Sequence, residues 1–80
     1  MPLDPMPDWV PTRRRQIGER IRSRRLQLHL SQIRLGELVG RDHKTIHRWE
    51  TAITPPDLTD LLLLAHALDV PLTRLVEGVG

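Results

Sequence analysis

Two glycines four residues apart, Gly36 and Gly40, constrain the fold of this chain more than any other feature. They lie in residues 31–50, which read SQIRLGELVGRDHKTIHRWE. The segment predicts a helix over residues 32–39, a turn in which Gly40 adopts a positive φ, and a second helix over residues 43–51. Two helices joined by so short a turn cross at about 90–120°. Because they approach closely, the residue at Gly36 must be small.

Apolar residues on both sides of this turn predict a small core of its own. Ser31 and Asp42 precede the two helices and are the expected N-caps. The expected core residues are Leu35, Leu38, Ile46 and Trp49. Ile46 would fill the angle between the two helices.

The remaining sequence predicts three further helices. The first extends from the N-cap Thr12 to about Leu28, the fourth from the N-cap Asp57 to about Leu68, and the fifth covers residues 72–76. The apolar stripe of the first contains Ile17, Ile21, Arg24 and Leu28, and the expected inner face of the fourth contains Leu58, Leu61, Leu62, Ala65 and Leu68. Together these elements predict a compact all-α five-helix domain over residues 12–77.

Four prolines mark the N-terminal segment as a separate element. Residues 1–11 contain Pro2, Pro5, Pro7 and Pro11. Because proline disfavours helix and favours extended backbone, we predict a flexible Pro-rich arm there. Residues 78–80 are predicted to form a short tail.

Composition excludes several classes of function. The chain of 80 residues has no cysteine, which removes disulfides, thiolate zinc sites and cysteine nucleophiles. It shows no pair of carboxylates suited to acid–base catalysis, no glycine-rich phosphate loop and no catalytic triad, so we expect no enzyme and no cofactor. No apolar run approaches the ~20 residues of a membrane span, and the N-terminus lacks a secretory signal. These features predict a cytoplasmic protein.

The distribution of charge indicates a polyanionic partner. Residues 12–48 hold eleven of the twelve basic residues and only three of the ten acidic ones. Such asymmetry is typical of a surface that contacts nucleic acid. Residues 49–80 are acidic by comparison, with one basic and five acidic residues.

Four motifs in register resemble the Cro/phage-repressor (XRE-type) helix-turn-helix family. They are IGERIR at residues 17–22, LSQ at 30–32, TIHRWE at 45–50 and ALDVPL at 67–72. The resemblance spans residues 17–76 and implies a lambda-repressor-like DNA-binding domain. In that family the third helix lies in the DNA major groove.

Carried over position by position, the resemblance implies two sets of DNA contacts. The base-reading residues would be His43, Lys44, Thr45, His47 and Arg48. Gln32 would grip a phosphate and brace the recognition helix, and Arg41 would add a phosphate contact. We expect Arg13, Arg14 and Arg15 to contact phosphates as well, although a solvated first turn of helix one is the equal alternative.

Three departures from the family pattern carry expectations of their own. Arg24 stands where leucine is frequent, so its methylenes should cover the core while its head reaches water or phosphate. His29 and Ala52 replace glycines that usually follow helices one and three. Both are therefore expected to adopt left-handed backbone conformations at some cost in energy.

The two histidines of the recognition helix have two alternatives to base reading: plain solvated side chains, which are the main one, and metal binding. His43, His47 and Glu50 have the spacing of ligands on one helical face. A metalloprotease would need glutamate directly after the first histidine, where Lys44 stands, and Lys44 and Arg48 would repel a dication. We predict no metal site.

A protein surface is the other open question. Leu63 is expected to lie opposite the inner face of helix four. With Leu72, Leu75 and Val76 it would form a dimer or partner surface; an ordinary single exposed leucine is the equal alternative. The predicted function is a DNA-binding transcriptional regulator, acting as a homodimeric repressor on a palindromic operator. The alternatives are a protein-interaction module of the same fold, such as an antitoxin or adaptor, and the N-terminal DNA-binding module of a longer regulator.

Overall fold

Five α-helices make up the part of the protein that the computed structural model describes, residues 6–77. They are Trp9–Gln27 (α1), Gln32–Val39 (α2), His43–Glu50 (α3), Leu58–Ala67 (α4) and Leu72–Val76 (α5). These residues contain no strand. The all-α prediction is confirmed, and α2 and α5 have the predicted bounds.

Side-chain caps fix where three helices begin. Ser31 Oγ and Asp42 Oδ1 each accept a hydrogen bond from the backbone N–H three residues further on, at 2.9 and 2.8 Å. Asp57 and Asp60 cap α4 reciprocally, because each carboxylate accepts from the backbone N–H of the other. Each cap contributes about 1 kcal/mol. The predicted caps Ser31, Asp42 and Asp57 are therefore confirmed.

The first helix begins four residues earlier than the sequence predicts. Trp9, Val10 and Pro11 are helical, with Asp8 as N-cap, whereas Thr12 was the expected cap. Pro11 is tolerated because backbone N–H groups of the first turn have no helical partner to lose. The arm prediction is thus wrong for residues 9–11. Residues 1–5 of the arm and residues 78–80 of the tail lie outside the described residues.

The core is continuous from α1 to α5. Its buried apolar residues are Ile21, Leu35, Val39, Ile46, Trp49, Leu64, Ala65, Leu68 and Leu75. Ile17 and Leu28 pack against this core, as the stripe on helix one predicts. The helix-turn-helix segment therefore shares one core with the other three helices.

Two expected core faces are rotated. Leu58 and Leu62 are 65% and 51% exposed, and Asp60 and Leu64 lie inside instead. The run Leu61–Leu64 is apolar at every position, so it does not specify which side of α4 faces inward. On α2, Leu38 is 44% exposed and its neighbour Val39 is buried. The predicted core positions Leu38, Leu58 and Leu62 are therefore wrong.

The first four helices end in the same left-handed turn. Gly40 has φ +74°, and His29 and Ala52 have φ 56° and 60°, as expected; Asp69 joins them with φ 54°. In every case the next residue donates its N–H to the carbonyl five positions earlier, as in a Schellman motif. These bonds are Leu30 to Arg25, Arg41 to Gly36, Ile53 to Arg48 and Val70 to Ala65. The left-handed conformation of Asp69 was not predicted.

None of the helices within residues 6–77 combines the length and the apolar character that crossing a membrane would require.

Candidate nucleic-acid interface

The polar edge of α3 faces solvent. His43, Lys44, His47 and Arg48 are exposed and Thr45 is half-buried. Within residues 6–77, no hydrogen bond or ion pair engages the side chains of His43, Lys44 and Arg48. The structure thus brings the five predicted base-reading residues together on one short helix, with cationic groups free for a ligand.

The opposite side of α3 anchors the helix in the core. Ile46 is fully buried and Trp49 is 4% exposed. Gly36 meets the backbone carbonyl of Arg41 so closely that a Cβ there would clash with it. The close approach predicted at Gly36 is confirmed, and the partner is the turn itself.

A buried ion pair joins α1 to the end of α3. Arg25 Nε donates to Glu50 Oε2 at 2.6 Å and its Nη2 donates to Glu50 Oε1 at 3.0 Å. The Arg25 and Glu50 side chains are only 9% and 1% exposed. Sequence reasoning missed this pair, although Arg25 follows the core residue Ile21 by four positions and so shares its face.

Gln32 extends this ion pair to the solvent-facing edge of α3. Its Nε2 donates to Glu50 Oε1 at 3.1 Å and lies 3.4 Å from His47 Nδ1. The side chain thereby links the first residue of α2 to two residues of α3. This is the brace that the resemblance implied for Gln32.

Arg41 is held by α4. Its Nε and Nη2 both donate to Asp60 Oδ1, at 3.1 and 2.9 Å, and its side chain is 48% exposed. Burial acts to raise the pKa of Asp60. The hydrogen bonds that Asp60 accepts from Arg41 and from the Asp57 backbone, together with the positive charge of Arg41, outweigh burial and lower that pKa. The expected phosphate contact by Arg41 would therefore have to use its remaining donors.

Asp42 keeps its negative charge next to the exposed cations of α3. The backbone hydrogen bond from Thr45 lowers the pKa of Asp42, assisted by the nearby charges of His43 and Arg48. Asp42 is thus an ionised cap, which favours the helix N-terminus.

The arginine run of α1 lies within its second turn. Arg14 and Arg15 are exposed, and Arg13 is half-buried. Arg15 donates to Thr12 Oγ1 at 3.2 Å. Arg14 lines a small apolar cavity together with Trp49, Ala52 and Thr54, which places it beside the C-terminal end of α3.

Arg20 and Arg24 bind backbone carbonyls on the other side of α1. Arg24 Nε donates to the Leu68 carbonyl at 2.8 Å, and Nη2 donates to the Asp69 carbonyl at 3.4 Å. Arg20 donates to the carbonyls of Leu75 and Glu77. The Arg24 head thus reaches the surface, but its donors bind carbonyls at the end of α4 and the Gln27 side chain, so no free phosphate contact is indicated there.

The predicted dimer surface is only partly exposed. Leu63 is 42% exposed, as expected, but Leu75 is 1% exposed and belongs to the core. Leu72 and Val76 are partly buried against that core. Because α5 has only five residues and must cover the ends of α1 and α4, its apolar residues point inward. The prediction that Leu75 belongs to a dimer or partner surface is therefore wrong.

The histidine pair of α3 lacks its third metal ligand. Glu50 is engaged with Arg25 and Gln32 inside the protein, whereas His43 and His47 are exposed. Across residues 6–77, no three potential ligands are grouped closely enough to hold a metal ion.

This geometry defines a helix-turn-helix domain: α2, a turn at Gly40 and α3 cross closely, and α1, α4 and α5 support them. The family described as helix-turn-helix matches residues 21–75. The chain belongs to this XRE-type helix-turn-helix family.

Relatives of known structure have the same fold. The repressor protein C2 of Salmonella phage P22 is 40% identical over 62 residues, which are 78% of this chain and 29% of that protein. A crystal structure of the P22 c2 repressor with synthetic operator 9T in the presence of Tl+ has a TM-score of 0.74 and 40% identity, and the match covers 78% of this chain and 94% of that one. The chain thus spans less than a third of the curated phage repressor.

A second relative of known structure is a controller protein of a restriction-modification system. The restriction-modification controller protein C.AhdI from Aeromonas hydrophila is 33% identical, with a TM-score of 0.74 over 76% of this chain and 92% of that one. Two regulators of different origin therefore share this arrangement of helices.

Proposed function

We propose that this protein is a sequence-specific DNA-binding transcriptional repressor that inserts α3 into the major groove. The exposed polar edge of α3, backed by Ile46 and Trp49, is the observation that carries the proposal. The similarity to a repressor crystallised with operator DNA supports it. Such binding would take place where bacterial DNA is held, in the cytoplasm.

Each residue type on the polar edge suits a base edge. Lys44 and Arg48 can donate to guanine O6 and N7, and the histidines can donate to or accept from other bases. Thr45 and His43, near the N-terminus of α3, have the positions that meet base edges in helix-turn-helix complexes. Arg41 and the arginines at 13–15 are proposed to contact phosphates, whereas the amide nitrogen of Gln32 is engaged by Glu50 and His47 within the protein.

Selection from a random duplex library, read out by gel shift, tests the proposal directly. We expect enrichment of one motif with two-fold symmetry and half-sites about one helical turn, ~34 Å, apart. Failure to retain any duplex at low salt would overturn DNA binding. It would favour the alternative that the fold serves as a protein-interaction module.

Arg48→Ala and Arg14→Ala should separate base reading from phosphate binding. We expect Arg48→Ala to cost about 1–3 kcal/mol on the selected operator and to relax preference at one base pair. Arg14→Ala should weaken binding to operator and to random DNA by the same factor, because a phosphate contact carries no sequence information. Competition gel shifts with both DNAs measure the two effects.

Arg22→Ala supplies the control for loss of one exposed charge on α1. The affinities of Arg22→Ala for operator and for random DNA should differ from those of the wild-type protein only by the small, screened effect of losing a distant charge. Equal effects of Arg48→Ala and Arg14→Ala on the two DNAs would contradict this division of roles.

We further propose that a homodimer forms through an apolar patch composed of Ile53, Leu58 and Leu62. These three side chains are 67%, 65% and 51% exposed; Ile53 lies in the α3–α4 loop, and Leu58 and Leu62 lie on α4. Ile53 follows α3 by three residues, so a second copy seated on this patch would bring two recognition helices near one another. The patch is far smaller than the ~800 Å² per partner of a standard interface, so pairing should be weak without DNA.

Leu62→Glu should abolish cooperative binding to the symmetric operator while leaving single half-site affinity unchanged. The charge would be repeated across the two-fold axis and desolvated there. Leu63→Glu is the matched control, because Leu63 lies on the same helix but on another side of it. If Leu63→Glu abolished cooperativity and Leu62→Glu did not, the dimer interface would be the surface around Leu63 that the sequence predicts.

A further inference from the structure

Gln32 lies between a buried anion and an exposed base-reading candidate. Its amide nitrogen is 3.1 Å from Glu50 Oε1 and 3.4 Å from His47 Nδ1. Glu50 is itself held by two hydrogen bonds from Arg25. Arg25, Glu50, Gln32 and His47 thus form one chain of contacts from the core to the surface of α3.

The carboxylate decides which way the amide of Gln32 faces. Because ionised glutamate only accepts hydrogen bonds, the NH₂ group, and not the carbonyl oxygen, must point towards Glu50. An NH₂ group has two hydrogens, so one can serve Glu50 while the other is directed at the imidazole. His47 Nδ1 therefore faces a donor and must act as the acceptor.

We propose that Gln32 is a specificity-determining residue that fixes His47 as a hydrogen-bond donor to DNA. With Nδ1 accepting, the proton of the neutral ring lies on Nε2, at the opposite edge of the imidazole. That edge can donate to N7 or O6 of guanine, N7 of adenine or O4 of thymine. It cannot accept from the amino groups of cytosine or adenine. The proposal rests on the DNA-binding function proposed above.

This role differs from a phosphate contact in what it does to specificity. A Gln32 side chain that only gripped a phosphate would add the same affinity to every sequence. A Gln32 side chain that sets the tautomer of His47 changes affinity only where His47 meets a base. The two roles therefore predict different results in a double-mutant cycle.

The DNA experiment is a cycle of Gln32→Met, His47→Ala and the double variant on the selected operator. Methionine keeps the length of the side chain and removes its amide. We expect each single variant to lose about three- to tenfold in affinity, and the double variant to lose no more than His47→Ala alone. Gln27→Met, which alters an exposed glutamine at the end of α1, is the matched control and should bind normally.

Replacing the contacted purine by its 7-deaza analogue identifies the acceptor. Where selection shows a purine opposite His47, the 7-deaza substitution should lower the DNA affinity of the wild-type protein about three- to tenfold. The same substitution should hardly change the affinities of Gln32→Met and His47→Ala. Additive losses in the cycle, or a deaza effect unchanged by Gln32→Met, would overturn the proposal.

Nitrogen-15 NMR of the protein without DNA decides the tautomer independently. We expect neutral His47 to be protonated at Nε2 alone, with a scalar coupling from Nδ1 to the Gln32 amide that disappears in Gln32→Met. Exposed His66 is the internal reference and should show the ordinary mixture of tautomers. A His47 spectrum that matches His66 in the wild-type protein would refute the proposal, whereas absence of DNA binding would overturn only the proposed function.

Discussion

Replacing Arg25 with methionine should lower the free energy of unfolding by about 3–5 kcal/mol, the cost typical of leaving one partner of a buried ion pair unpaired. Glu50 is 1% exposed, and Arg25 supplies two of its three hydrogen bonds. Without Arg25 the carboxylate would keep only the bond from Gln32. A small domain has about 5–15 kcal/mol of stability in total, so Arg25→Met should be marginally folded.

Urea unfolding followed by circular dichroism measures this loss, and Arg34→Met is its control. Arg34 makes an ion pair with Glu37 at 3.0 Å, but the two side chains are 57% and 60% exposed. Solvent screens such a pair, so the control should unfold at the same urea concentration as the wild-type protein.

The double variant Arg25→Met/Glu50→Leu separates the charge from the packing. Because both buried charges are then removed, we expect it to regain most of the stability lost in Arg25→Met. If Arg25→Met unfolds no more easily than Arg34→Met, the ion pair contributes nothing to the fold. If the double variant is as unstable as Arg25→Met, the loss comes from packing and not from an unpaired carboxylate.

How much of this fold the sequence predicts depends on how local each determinant is. The caps at Ser31, Asp42 and Asp57 were predicted because a cap bonds to a backbone group three residues away. The turn at Gly40 was predicted for the same reason. By contrast, the inner face of α4 is set by where α1 and α2 lie, and an uninterrupted apolar run gives no preference among faces.

The candidate interface shows the same division. The exposure of His43, Lys44 and Arg48 follows from the periodicity that buries Ile46 and Trp49. The partners of the long arginine side chains do not follow from periodicity. Arg24 and Arg41 bind groups 44 and 19 residues away in sequence, at a helix end and at a capping carboxylate. Only the assembled fold brings those acceptors within reach.

Replacing Gly18 with valine should destabilise the domain by about 3 kcal/mol, at the upper end of the range for overpacking a core. A Cβ at this position would lie 2.6 Å from the Trp49 carbonyl oxygen and 2.7 Å from that of Glu50. Both are backbone atoms at the end of α3, so no side chain can rotate away. Helix α1 would have to move outward from α3, which would loosen the contacts of Ile21 and Trp49 in the core.

Gly40→Ala is the control for Gly18→Val, because it tests backbone strain without a steric clash. Gly40 has φ +74° but open space where a Cβ would go, so alanine there should cost only the ~1–2 kcal/mol of left-handed backbone strain. Thermal and urea unfolding of both variants measure the difference, and Gly18→Ala, which adds only the clashing Cβ, should fall between Gly40→Ala and Gly18→Val. Equal losses for Gly18→Val and Gly40→Ala would mean that α1 can shift freely on α3. In that case the position of the recognition helix would be set by α2 and its turn alone, and the folded fraction of Gly18→Val should then bind operator as tightly as the wild-type protein does.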